Sequence, residues 1–157
     1  MRRSQGFTLL EIAISVAILI FITLIAVPSL RGVLADRRLQ ASLDAMNQIV
    51  RQAQEKSVQE HRAYLIEWKK KAIILRPEAI REGDSAAPVS RLALGRGHAF
   101  VLSLPAALEK SPLPQWIFWP SGVCEPANVQ FKSPDGSWEV NYSPLTARPE
   151  IVRYATQ

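Results

Sequence analysis

The sequence is poor in cysteine and histidine, which limits the chemistry that it can support. One cysteine in 157 residues cannot form an internal disulfide, so a disulfide-stapled scaffold is excluded. Cys124, His61 and His98 show none of the Cys-x-x-Cys or His-x-x-x-His spacings that hold metals. We interpret Cys124 as a buried small apolar residue, with a nucleophile or an intermolecular bridge as the alternatives. We predict no metal, no cofactor, no catalytic residue and no enzymatic activity.

Long apolar runs are also scarce, because only one is long enough to cross a bilayer, and a multi-pass membrane protein is therefore excluded. Residues 7–27 form this run, in which Glu11 is the only charge. At about 1.5 Å per residue the run covers roughly 30 Å, the thickness of the hydrocarbon core. A cleaved secretory signal has a shorter apolar core, about 7–15 residues. Arg2 and Arg3 before the run predict a cytoplasmic N-terminus and an exported remainder.

Glu11 is the anomaly of the run, because a carboxylate inside a spanning helix costs about 2.5–3.5 kcal/mol on insertion scales. One interpretation is that Glu11 lies about one turn inside the membrane and reaches the headgroups. The other requires a positive group at the same depth. A cut between Gly6 and Phe7 would create an α-amino group four residues before Glu11 in the sequence, able to pair within one helix or with the Glu11 of a neighbour.

A short basic leader, Arg2-Arg3-Ser4-Gln5-Gly6, precedes Phe7-Thr8-Leu9-Leu10-Glu11 and the apolar run, and Pro28 follows near the end of that run. This pattern resembles the class III leader and N-terminal helix of type IV pilins and type II secretion pseudopilins. The resemblance implies cleavage after Gly6 by a prepilin peptidase and methyltransferase, N-methylation of Phe7, and residence in the inner membrane. It also implies a helical filament in which Glu11 pairs with a neighbouring N-terminus.

Beyond the run, the sequence predicts that the helix continues. Pro28 removes a backbone hydrogen bond, so we predict a kink or a melted turn there, and a helix end at Pro28 is the alternative. Residues 30–58 contain no proline and are rich in helix formers. An apolar stripe on one helix face is predicted to pack on the C-terminal domain. Its residues are Leu39, Leu43, Met46, Val50 and Ala53.

After residue 60 the pattern changes to short alternating segments separated by turn residues, which is typical of antiparallel strands. Residues 64–68 are predicted to form a half-buried strand. Hairpins are predicted around Gly95-Arg96-Gly97 and around Ser133-Pro134-Asp135-Gly136. Four tryptophans in strand-like runs are predicted to fill the core. The predicted strands are 64–68, 72–75, 92–94, 98–102, 116–119, 129–132, 138–142 and 151–154.

These elements predict an α+β fold: a long N-terminal helix, half transmembrane and half exposed, packed on a C-terminal antiparallel β domain of two sheets. The predicted organisation is a cleaved leader at 1–6, a transmembrane and filament-core helix at 7–28, an exposed amphipathic helix at 29–58 and a β-rich domain at 59–157. The stretches 118–122, 135–136 and 146–148 resemble the GspH/FimT branch of minor pseudopilins and minor pilins. Ala147 stands where that branch more often has glycine.

The excess of positive charge is small. There are 19 Lys and Arg against 14 Asp and Glu, a net charge of +5, and removal of Arg2 and Arg3 would leave an excess of three. The only tight basic cluster is Lys69-Lys70-Lys71, which is more typical of a solvated turn than of a binding patch.

Two functions follow as hypotheses. The first is a minor pilin or pseudopilin, a structural subunit of a type II secretion pseudopilus or type IV pilus-like filament. Its partners would be the peptidase, other pilin subunits and the bacterial inner membrane, with the β domain in the periplasm. The alternative is a DNA-binding minor pilin that contacts DNA through Lys69, Lys70, Lys71, Arg148 and Arg153, but the tail lacks the Gly-Arg-x-Arg pattern of such relatives. We therefore expect no DNA partner.

Overall fold

The computed structural model describes residues 8–81, 83, 85, 87–105 and 115–156, and for residues 24–31 it describes the backbone alone. One helix, α1, is followed by eight strands. Their bounds are α1 Leu9–Gln59, β1 Tyr64–Lys69, β2 Ala72–Pro77, β3 Ser90–Ala93, β4 Ala99–Ser103, β5 Gln115–Phe118, β6 Ala127–Ser133, β7 Gly136–Tyr142 and β8 Pro149–Thr156.

The helix is a single element of 51 residues, about 77 Å long at 1.5 Å per residue. Thr8 is its N-cap, and the Thr8 hydroxyl accepts a hydrogen bond from the backbone N–H of Glu11 at 3.3 Å. The backbone is helical without interruption through residues 24–31, so the helix does not end at Pro28 and no turn is melted there. A bend of the helix axis at Pro28 stays a prediction. The helix ends at Gln59, with Glu60 as its C-cap.

The strands form two four-stranded antiparallel sheets. The strand order is β3-β2-β1-β5 in sheet 1 and β4-β6-β7-β8 in sheet 2. The predicted hairpin around 95–97 is wrong, because β3 pairs with β2 whereas β4 pairs with β6 in the other sheet. The loop 94–98 therefore connects the two sheets. The second predicted hairpin is present, since β6 and β7 are joined by Pro134 and Asp135 alone, with Ser133 opposite Gly136.

The core lies between one face of α1 and the inner faces of both sheets. The predicted stripe residues Leu39, Leu43, Met46, Val50 and Ala53 are all buried there, together with Ile49. The indole of Trp116 in sheet 1 lies 5.1 Å from the ring of Tyr142 in sheet 2, which joins the two inner faces. Three tryptophans, 68, 116 and 138, are buried. Trp119, in the loop after β5, is partly exposed, so the prediction that it fills the core is wrong.

Strand β1 is buried on both faces rather than half-buried. Tyr64, Ile66 and Trp68 face the core, as the alternation predicts, but Glu67 on the opposite face is only 3% exposed. Its carboxylate is bound by the Lys69 ammonium at 2.7 Å and by the Arg76 guanidinium. Burial alone would raise the pKa of Glu67, but these two cations lower it by more. The pKa of Glu67 is therefore lowered, and a charge that local alternation assigns to solvent is paired inside a salt bridge.

Candidate functional site

The described residues at the start of α1 form an exposed apolar cylinder. Leu9 is 87% exposed and Phe21 is 66% exposed, and every side chain from residue 8 to residue 23 is exposed. A helix that is apolar all round is normally covered by protein or lipid, since exposed apolar patches of this size are rare on monomers. Within the described residues, no helical segment combines the length and the apolar character that crossing a membrane requires.

Glu11 lies in the first turn of α1, where a carboxylate is favoured by the helix dipole. Its backbone N–H donates to the carbonyl of Thr8 at 3.1 Å, and its own carbonyl accepts from the Ser15 hydroxyl at 2.7 Å. Among residues 8–81 and the other described ranges, no cation lies within 4 Å of the Glu11 carboxylate. Gly6 and Phe7, the predicted processing residues, lie outside the described residues.

The second half of α1 is held to sheet 2 by polar contacts that flank the apolar stripe. The Trp138 indole N–H donates to the Ser42 hydroxyl at 2.8 Å, and the Tyr142 hydroxyl donates to the Asn47 side-chain carbonyl at 2.7 Å. Buried donors with well-placed acceptors fix one orientation, because losing either partner leaves a costly unpaired group. Burial raises the pKa of the Tyr142 phenol above its ordinary value.

A third hydrogen bond between sheet 2 and α1 lies at the level where the domain first packs on the helix. The Tyr154 hydroxyl of β8 donates to the Asp36 carboxylate at 2.8 Å. Burial first, and then the hydrogen bond to Asp36, raises the pKa of Tyr154 to about 12. Ala35 is the first buried residue of α1 among those described, whereas Val33 and Leu34 are exposed. The domain therefore packs on α1 from residue 35 onward.

Cys124 lies between β5 and β6 and is buried. Its thiol donates a weak hydrogen bond to the Ser143 carbonyl at 3.7 Å, and burial raises its pKa to about 11. A thiol in this state is a poor nucleophile, because the thiolate is the reactive species. His98 packs edge-on against Phe131, with ring centres 5.3 Å apart. In the described part of the chain, no three His, Cys, Asp or Glu side chains are grouped closely enough to hold a metal ion.

The residues predicted as possible DNA contacts do not form one surface, and Arg153 lies in β8, opposite Glu139 of β7. Lys69, Lys70 and Lys71 lie at the turn between β1 and β2. Arg148 lies in the loop before β8, where it lines an open groove of about 560 Å³ with Arg51 and Gln54 of α1. Gln54 also donates to the Gly122 carbonyl at 2.9 Å, which places this groove near the C-terminal end of α1.

Three turns instead come together at the opposite end of the domain, a grouping that sequence reasoning missed. The backbone N–H of Leu94 donates to the Lys71 carbonyl at 3.0 Å, so the loop after β3 lies beside the β1–β2 turn. A Cβ at Gly97 would lie 3.4 Å from Pro134, which places the same loop beside the β6–β7 turn. Arg38 of α1 lies 3.6 Å from the Asp135 carboxylate of that turn. The only local signal was the lysine cluster itself.

Comparisons with known proteins agree on both parts of the chain. Residues 1–27 match the family model described as the prokaryotic N-terminal methylation motif. Comparison with curated protein sequences returned no match. The fold is similar to that of the type IV minor pilin FimU of Pseudomonas aeruginosa, with 17% identity over 73% of this chain and 93% of that chain and a TM-score of 0.53.

A second crystal form of FimU gives 18% identity over 75% of this chain and 90% of that chain, with a TM-score of 0.55. The minor pseudopilin EpsH from the type 2 secretion system of Vibrio cholerae is similar over 73% of this chain and 95% of that chain, with 12% identity and a TM-score of 0.50. The predicted class of fold, a long helix packed on two antiparallel sheets, is confirmed.

Proposed function

We propose that this chain, which has the N-terminal motif and the fold of the type IV pilins and pseudopilins, is a minor structural subunit of a type II secretion pseudopilus or type IV pilus-like filament. The GspH/FimT branch is the part of the family that we propose for it. The carrying observation is a helix that exposes apolar side chains on all sides over residues 9–23, while one face of its second half is buried on a domain.

The length of the helix before the domain supports a membrane anchor that later becomes a filament core. Among the described side chains of α1, Ala35 is the first that is buried, and residues 9–34 before it cover about 39 Å at 1.5 Å per residue. A hydrocarbon core of about 30 Å plus one headgroup layer has nearly this thickness. We propose a single span with the N-terminus in the cytoplasm and the β domain in the periplasm, until the helix moves from lipid into the apolar core of a filament.

The proposed processing step is cleavage after Gly6 and methylation of Phe7. Mass spectrometry of the mature N-terminus in the native host tests it, and we expect a chain that begins at N-methyl-Phe7. Gly6→Val should abolish cleavage, because a branched side chain replaces the smallest residue at the cut, whereas Ser4→Ala in the same leader should be cleaved normally. A mature chain that retains Met1, or one that begins after the apolar run, would contradict the proposal.

The proposed assembly step is pairing of the Glu11 carboxylate with the N-terminal amine of a neighbouring subunit. Glu11→Gln should leave processing intact but reduce incorporation into filaments by at least tenfold, because an unpaired amine inside an apolar bundle is costly. Glu55→Gln, at an exposed position of the domain-bound half of α1, is the matched control. Equal recovery of both variants in sheared filaments would refute this role of Glu11.

A further inference from the structure

We propose that the end of the domain from which residues 9–34 emerge is a docking surface for anionic lipid headgroups, an inference that rests on the membrane anchoring proposed above. We call this surface the basic end. Its cations are Arg37 and Arg38 of α1, Lys69, Lys70 and Lys71 at the β1–β2 turn, Arg96 in the β3–β4 loop and Lys132 near the end of β6.

The fold brings these residues to one end although they are scattered along the chain. The β3–β4 loop that carries Arg96 contacts both the β1–β2 turn and the β6–β7 turn, as described above. Lys132 lies opposite Ala99, one residue before the end of β6. The β6–β7 turn contacts α1 at Arg38 and Leu39, and α1 runs from there toward the apolar run. The basic end therefore faces the side on which the bilayer would lie.

Charge is segregated between this end and the other side chains that the structure describes. Among the described residues, the basic end has seven cations and three nearby carboxylates, those of Asp36, Glu67 and Asp135. The other described side chains comprise eight cations and eight carboxylates. The positive excess of the described side chains therefore lies at the basic end.

Most of these cations are available to a ligand. Glu67 is buried and holds Lys69, and Asp135 faces Arg38, which is nevertheless 71% exposed. For the other five cations of the basic end, no carboxylate among the described residues lies within 4 Å, and all five are exposed. Exposed cations that have no carboxylate partner among the described residues create a positive potential, which attracts anions to this end of the domain.

Distance favours the bilayer as the source of those anions. Arg38 lies eleven residues beyond Val27, about 16 Å along the helix axis. The headgroup layer occupies roughly 5–8 Å of this interval, so about 10 Å remains, close to the Debye length of about 8 Å at physiological salt. Each cation near a charged membrane gains about fivefold in affinity, and over this gap we expect about 1.6-fold per cation. A tilt of α1 would increase the gain.

The test uses the full chain in vesicles of phosphatidylcholine alone or mixed with phosphatidylglycerol. A fluorophore is attached at Ala99→Cys, beside Lys132, or at Ser121→Cys near the far end of the domain, and Cys124 stays unlabelled because it is buried. A spin-labelled headgroup lipid quenches fluorophores that approach the bilayer. We expect quenching at residue 99 to rise in anionic vesicles, to fall in high salt, and to exceed quenching at residue 121.

Charge-removing variants separate the basic end from net charge. The triple variant Lys70→Gln, Lys71→Gln and Arg96→Gln should reduce the docked-to-undocked ratio about fourfold in anionic vesicles. The matched control, Arg51→Gln, Arg148→Gln and Arg153→Gln, removes three charges elsewhere and should leave the ratio unchanged. Tryptophan fluorescence of both variants verifies that the domain remains folded.

Several outcomes overturn the inference. Equal quenching in neutral and anionic vesicles, or an equal loss of docking in both triple variants, would contradict the proposal that the basic end binds anionic lipid. Binding of duplex DNA that is lost in the basic-end variant, with vesicle docking unchanged, would assign the surface to nucleic acid instead. A chain that does not float with either vesicle contradicts the proposed anchor, whereas a chain that floats with both but shows no lipid preference contradicts only this inference.

Discussion

The sharpest energetic prediction concerns the carboxylate that ends α1. Glu60 is the C-cap of the helix, and its two oxygens accept hydrogen bonds from three side chains. The Lys56 ammonium lies 2.9 Å from one oxygen, and the Tyr64 hydroxyl lies 2.7 Å from the other, which also accepts from the Arg62 guanidinium at 2.9 Å. We predict that Glu60→Gln destabilises the domain at neutral pH, because the amide replaces one acceptor with a donor that faces these donors.

The pKa of Glu60 gives the magnitude and the pH range. Hydrogen bonds from Lys56 and then Tyr64 lower it from its ordinary 4.5 to about 2. Without screening by solvent, a shift of this size corresponds to about 3 kcal/mol. The side chain is 30% exposed and solvent screens the pair with Lys56, so we expect about 1–2 kcal/mol. Because the folded-state pKa is the lower one, this stability is present above pH 4.5 and is lost as the pH falls toward 2.

Chemical denaturation of the full chain in detergent, followed by tryptophan fluorescence, measures the effect. Trp116 and Trp138 are both buried in the core and report its unfolding. The difference in unfolding free energy between the parent and Glu60→Gln should be largest near pH 7 and close to zero near pH 2. Glu55→Gln, one turn earlier and exposed, should match the parent throughout. A Glu60→Gln chain as stable as the parent at pH 7, or a difference that persists unchanged at pH 2, would refute the argument.

Other predictions test the packing directly. Met46→Ala removes a side chain that is 0% exposed and should cost about 2–5 kcal/mol in chemical denaturation, whereas exposed Gln48→Ala should stay within about 0.5 kcal/mol of the parent. Gly136→Ala should cost at least about 2 kcal/mol, because its φ is +146° and the new Cβ would lie 2.3 Å from a backbone carbonyl; stability equal to the parent would contradict this geometry. Cys124 should react with iodoacetamide at pH 8 at least about 100-fold faster in urea than in the native chain, and equal rates would refute its burial.

The sequence was sufficient wherever the decisive interaction is local. Spacings of three and four residues place Leu39, Leu43 and Met46 on one helix face, and that face is the buried one. Pro134 and Asp135 between two alternating segments predict a hairpin, and β6 and β7 are joined by these two residues. Both predictions depend only on backbone geometry within a few residues, which is why the pattern carries them.

Prediction from sequence patterns is wrong where the partner of a residue comes from a distant segment of the chain. The glycines at 95 and 97 predict a tight turn, but a turn does not determine whether the next strand returns to the same sheet. Here β3 pairs with β2 in sheet 1 and β4 pairs with β6 in sheet 2, so the loop between β3 and β4 crosses from one sheet to the other. A half-buried strand at 64–68 likewise places Glu67 on the solvent side, and only the register of β1 with β2 brings Arg76 against its carboxylate. Neither partner is visible from sequence spacing.

The same limitation explains why a scattered charge distribution in the sequence becomes an ordered one in the fold. Residues 37–38, 69–71, 96 and 132 are separated by loops and strands that give no sign of proximity. They lie close together because each is at a connection between strands or at the level where the domain first packs on α1. These connections and this part of α1 lie at the same end of the domain. A net charge of +5 is therefore a poor guide to partners for this chain. The direction in which its excess charge faces is the informative quantity, and that direction follows from strand pairing.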